Sequence, residues 1–115
     1  IDRCVGFRAQ IDLVQVLRIA DRILAPALDT TDPASPEELA DRLRTALLAH
    51  RDGAELVSAA LSQPDSETRG DVEKQLSDAL ALDDADVSRV GAAALLHLVL
   101  GATTLEQSHR QYAAD

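Results

Sequence analysis

Three histidines, one cysteine and a short run of aspartates are the residues of this sequence whose chemistry could go beyond packing. Asp83, Asp84 and Asp86 form a carboxylate group able in principle to move protons or hold a cation. They stand directly before a long apolar helical pattern, however, where acids are favoured by the free N–H groups and the positive pole of a helix start. Capping is therefore the reading their position supports. Glu106 and His109, taken with Glu73 or Asp78, fall into no spacing that makes a metal box. Cys4 has no plausible base beside it, and a single cysteine excludes both an internal disulfide and a cysteine-built zinc site. There is no glycine-rich phosphate loop and no serine flanked as in a nucleophile elbow. No enzymatic chemistry, metal or cofactor is expected. His50 falls at a helix end, where an imidazole suits the negative pole, and His109 is expected to be exposed. His97 lies in the apolar stripe of the last helix, where a ring nitrogen either meets a ligand or satisfies a backbone carbonyl.

The elements that would carry these residues follow from composition. Apolar residues make up 46% of the 115, but aromatics only 2%, so the core must come from Leu, Val, Ile and Ala. Ala and Leu are strong helix formers, whereas strands draw on β-branched and aromatic residues. An all-α bundle in one domain is expected. Eleven basic against twenty acidic side chains give a net charge of −9, which disfavours unaided binding to a polyanion because affinity for nucleic acid rests on Lys and Arg at the phosphates. The single thiol suits a reducing, cytoplasmic setting. The nearly apolar run Gly91–Leu105 is shorter than the roughly 20 residues that span a bilayer, so no membrane partner is expected. No signal-peptide pattern opens the chain, which begins at Ile1 and contains no methionine; it reads as a fragment or processed form.

Apolar positions divide the chain into five helices. Leu13, Val14, Leu17, Ala20 and Leu24 recur at helical spacing and predict a first helix over Ala9–Ala25, closed by Pro26. Ser35-Pro36-Glu37-Glu38 is a strong start for a second helix reaching about His50, with Leu39, Leu43 and Leu47 stacked in steps of four. Asp52 is placed to cap a short third helix, with Glu55 answering it, and Leu56, Val57, Ala60 and Leu61 on its inner side. Pro64 ends it. A fourth helix from about Ser66 to Leu82 carries Val72, Leu76, Ala79 and Leu80 on one face, and the last, from Ala85 to about Ala113, carries Val87, Val90, Ala94, Leu98 and Leu105. That last helix would be roughly 40 Å long, more than so small a domain needs, and its Gly91, Ala92, Ala93, Ala94, Gly101 and Ala102 keep its surface low enough for another helix to approach. A partner subunit is implied.

Two segments carry a family resemblance. Ala46-Leu47-Leu48-Ala49-His50-Arg51-Asp52-Gly53-Ala54 resembles the junction between two effector-domain helices of tetracycline-repressor (TetR) regulators, and His97-Leu98-Val99-Leu100-Gly101 followed by Leu105-Glu106-Gln107 is similar to the family's His-x-x-Leu-Gly and Glu-Gln pattern. Val5-Gly6-Phe7-Arg8-Ala9-Gln10 and Asp21-Arg22-Ile23-Leu24 look like the exit from the recognition helix and the helix that follows it. The resemblance implies that residues 1–8 are a remnant of a helix-turn-helix head and that 9–115 form an effector-binding and dimerising core. It further implies a homodimeric repressor that touches DNA only through a head largely absent from these residues, and that answers a small molecule.

Carried over position by position, the family's metal-binding histidine falls on Val57 and its polar drug contacts on Leu39, Leu43 and Leu61. An aliphatic lining offers a hard cation no oxygen ligands, so a magnesium-bound drug does not fit. An apolar or weakly polar effector held by Leu24, Leu39, Leu43, Val57, Leu61 and His97 does. The same leucines packing on one another as plain core remains the alternative. The resemblance places the dimer interface at Gly91, Ala94, Leu98, Gly101 and Leu105. Rival readings are a stand-alone small-molecule-binding protein or cyclase-like enzyme without the DNA-binding part, and a helical module that pairs with another chain through its last helix.

Overall fold

In a computed structural model, which describes the backbone of residues 2–29 and 34–114 and the side chains of 13–29 and 34–113, the chain is five helices: α1 Asp2–Leu28, α2 Pro36–Leu48, α3 Gly53–Leu61, α4 Glu67–Leu80 and α5 Ala85–Ala114. The all-α expectation holds, with no strand among the described residues. The side chain of Cys4 lies outside the described residues, and the backbone of residues 2–8, expected as a remnant of a helix-turn-helix head, runs on into α1.

Local sequence explains most of the ends. Ser35 caps α2, its Oγ accepting the Glu38 N–H at 3.1 Å, and Pro36 occupies the first turn, where its missing N–H costs nothing. Ser66 does the same for α4 through the Arg69 N–H at 3.0 Å, and Asp84 caps α5 by accepting from the N–H groups of Asp86 and Val87. Of the three acids Asp84 is thus the cap, and Asp86, in the first turn, pairs with Arg89 at 2.6 Å.

Two expectations at the boundaries are corrected. Pro26 does not close α1, which begins at Asp2 and continues to Leu28, with the Asp29 N–H still bonded to the Ala25 carbonyl at 2.9 Å. A proline in the last turn removes one hydrogen bond and leaves little helix beyond it to disrupt. Asp52 is no side-chain cap for α3: it sits in the left-handed region at φ 56° and its carboxylate makes no bond to the helix start.

The core is aliphatic. Ile23, Leu24, Leu43, Leu47, Val57, Val72 and Leu76 are its largest fully buried side chains, drawn from α1 to α4. From α5 it receives Ala92 and Leu96, with Leu95, Val99 and Leu100 packed against its edge. Val14, expected on the inner face of α1, is 48% exposed, because the helix turns its Leu17–Ala20–Leu24 line inward and carries Val14 past it. By length and composition α5 is able to cross a membrane. In this fold it lies along α2, α3 and α4 and buries Ser88, Thr103 and Gln107 on that side.

Candidate functional site

The two segments singled out in the sequence meet in space, at the junction of α2 and α3 against the C-terminal half of α5. Gln107, buried, reads three backbone groups of this junction at once. Its Oε1 accepts the Ala54 N–H at 3.0 Å, and its Nε2 donates to the carbonyls of His50 at 2.7 Å and Leu47 at 3.3 Å. One turn further along α5, Gln111 accepts the Asp52 N–H at 3.1 Å and donates to the Asp52 carboxylate at 2.8 Å. These bonds explain why Asp52 does not cap α3: the N–H of Ala54 is already satisfied by Gln107, and the Asp52 side chain is drawn to Gln111 instead.

Gly53 completes the clamp. A β-carbon there would lie 2.2 Å from the Leu47 carbonyl oxygen, a backbone atom that cannot move aside, so the helix reversal is closed around a residue without a side chain. On the outer flank Arg44 of α2 makes a two-pronged pair with Glu106, Nε to Oε2 at 2.9 Å and Nη2 to Oε1 at 2.5 Å, and Arg110 reaches the same Glu106 oxygen at 3.0 Å. The hydrogen bond and charge of Arg44 hold the Glu106 carboxyl below its ordinary range and raise the Arg44 guanidinium above its own. The arrangement is a joint: it fixes α2 and α3 to α5 through backbone groups.

The residues expected to hold a ligand are only partly brought together. Leu24, Leu39, Leu43, Val57 and Leu61 join one buried cluster, each no more than 4% exposed. His97 does not join them; it is exposed, rotated away from the inner face of α5. His50 and His109 are exposed as well.

Of the residues assigned to a subunit interface, Ala94, Leu98, Gly101 and Leu105 lie on the exposed face of α5, with Leu98 66% and Leu105 64% exposed. Val87, Val90 and Tyr112 extend the same line. Gly91 stands beside it and faces its own chain, half-buried, where a β-carbon would come within 3.2 Å of Leu80 Cδ1 on α4. Its smallness serves the α4–α5 contact. Among the described residues no three or more His, Cys, Asp or Glu gather as metal ligands.

Sequence reasoning assigned no role to Arg44, Gln107 or Gln111. Sequence carried little signal for them: residues 106–111, Glu-Gln-Ser-His-Arg-Gln, are polar throughout, so no one face stands out by spacing.

No protein-family model matches the chain, and no curated protein does. Among solved structures, the crystal structure of BioQ with its natural double-stranded DNA operator matches with a TM-score of 0.74 and 37% identity, over 88% of this chain and 63% of that one. The chain thus has a TetR-like fold. It spans somewhat less than two thirds of BioQ's length.

Proposed function

We propose that the chain is the effector-sensing and dimerising core of a TetR-like transcriptional regulator, a repressor that reads DNA through a helix-turn-helix head. The observation that carries this reading is the 37% identity with BioQ, solved on its operator, across 88% of the chain, together with the shared fold. A neighbour solved on DNA favours a role without chemistry of its own. The net charge of −9 fits a division of labour in which phosphate contacts are made by another part of the protein.

Within this reading the exposed apolar line on α5 meets a second copy, the protein works in the cytoplasm, and an apolar or weakly polar effector acts on the aliphatic core around Leu24, Leu39, Leu43, Val57 and Leu61. The deciding experiment is a gel-shift titration of the complete natural gene product on the DNA flanking its own gene, beside the 115-residue chain alone. Sequence-specific retardation by the complete protein and none by the 115 residues is the expected result. A complete protein that retards no flanking DNA overturns the regulator reading.

A further inference from the structure

A cleft of about 410 Å³ opens between Leu13, Leu17 and Asp21 of α1 on one wall and the α3–α4 turn, residues 63–68, on the other. Its size falls within the roughly 300–1,000 Å³ of small-molecule sites. Leu13, Leu17 and Pro64 give it an apolar floor, and Asp21, Asp65 and Glu67 bring three carboxylates to its rim, while among the described residues its lining includes no lysine, arginine or histidine. Three arginines adjoin lining residues in sequence: Arg18 and Arg22 are exposed on α1 and outside the lining, and the Arg69 guanidinium is engaged behind the turn, donating to the carbonyls of Leu61 at 3.2 Å and Pro64 at 3.1 Å and lying 3.9 Å from Glu73.

The start of α4 accounts for two of the acids, since Asp65 and Glu67 flank its positive pole. It does not account for Asp21, which comes from α1 and reaches across the cleft to accept the Thr68 hydroxyl at 2.5 Å. That bond uses one acceptor position of a carboxylate that has about four.

From this combination we infer that the cleft binds a small amphiphilic cation, an alkyl chain lying on Leu13 and Leu17 with an ammonium head among Asp21, Asp65 and Glu67. An anion of the same shape meets three like charges, and a neutral chain forgoes the carboxylates. Because the ligand sits between α1 and the turn that Thr68 ties to it, its binding bears directly on the seam between those elements. The inference is independent of the regulator reading: failure to bind here leaves the DNA experiment untouched, and failure there leaves this cleft to be judged by itself.

The test is an amide-resolved NMR titration of the 115-residue chain at neutral pH with octylammonium chloride, beside octanoate and octanol at the same concentrations. Saturable shifts at 63–68 and along 13–21 are expected with the cation only. Asp21→Asn combined with Glu67→Gln, which keeps an acceptor for Thr68, weakens that binding about tenfold, the size expected for two partly exposed ion pairs. The inference is overturned if octanol or octanoate binds the cleft equally well, if the shifts fall only on the exposed face of α5, if no saturable shift occurs, or if the double variant binds as the parent does while retaining its amide spectrum.

Discussion

Gln107 shows how one side chain can carry more than its size suggests. Truncating it leaves the Ala54 N–H and the Leu47 and His50 carbonyls short of a partner in a buried place, and each such group costs about 1–3 kcal/mol. Gln107→Ala is expected to lower unfolding stability by about 2–4 kcal/mol, measured by urea denaturation, with Gln107→Glu also destabilising because a carboxylate cannot donate to the two carbonyls. Asp52 invites a finer comparison. Its φ of 56° is one that Asn adopts at less cost than Ala, and its carboxylate oxygen is an acceptor that Asn can supply. Asp52→Asn should therefore be close to neutral and Asp52→Ala destabilising; equal losses in the two would show that neither backbone conformation nor the Gln111 bond matters here. Glu106 adds a pH dependence with a definite sign. Its folded-state pKa lies below the ordinary value, so its contribution is fully present above the usual glutamate range and is lost as pH falls through the lowered value. The gap in denaturation midpoint between the parent and Glu106→Gln is expected at neutral pH and should close as the solution is acidified.

At the scale of the helix, what could be read in the sequence and what could not divide along physical lines. Ser35 and Asp84 were legible because a cap acts within three residues of chain, and their bonds are present; Ser66, read only as the start of the fourth helix, caps it in the same way. The leucine spacing of α2 and α3 was legible because burial imposes the helical period. Pro26 misled, since the one hydrogen bond it removes falls so near the end of α1 that the last turn forms in spite of it. Asp52 misled because its partner, Gln111, lies 59 residues away, and no local pattern reveals a competitor at that distance. Gly91 misled in the same manner: a small residue announces a close approach without saying to which neighbour, and the neighbour is Leu80 of its own chain. The end of α4 gives a prediction of its own. Ala81 closes this helix at φ 50°, a conformation in which a β-carbon is strained by about 1–2 kcal/mol and which helices usually give to glycine. Ala81→Gly relieves that strain at a smaller cost in unfolded-chain entropy, and a gain of about 0.5–1 kcal/mol is expected in thermal unfolding.

For the molecule as a whole, α5 divides its surface between two tasks. Ser88, Ala92, Leu96, Thr103 and Gln107 face the other helices, and the line from Val87 through Val90, Leu98 and Leu105 to Tyr112 faces outward on the opposite side. Five large apolar side chains along one exposed helix face exceed the scattered singles of an ordinary surface, and their spacing matches what a second helix would bury. The core owes nothing to these side chains, so the two tasks can be separated experimentally. In Leu98→Glu with Leu105→Glu, two charges are placed where a self-complementary interface would have to bury them, while Ala92 and Leu96 are left to hold α5 in place. Sedimentation equilibrium should show the parent chain at twice its 12.3 kDa mass and the double variant at that mass, with helical circular dichroism and urea midpoint unchanged in dilute solution. A parent that sediments as a monomer at every accessible concentration would mean that a second copy of these 115 residues does not cover the α5 line. A variant that loses its fold would show that the face faces inward after all, and the separation of the two sides of α5 would then be wrong.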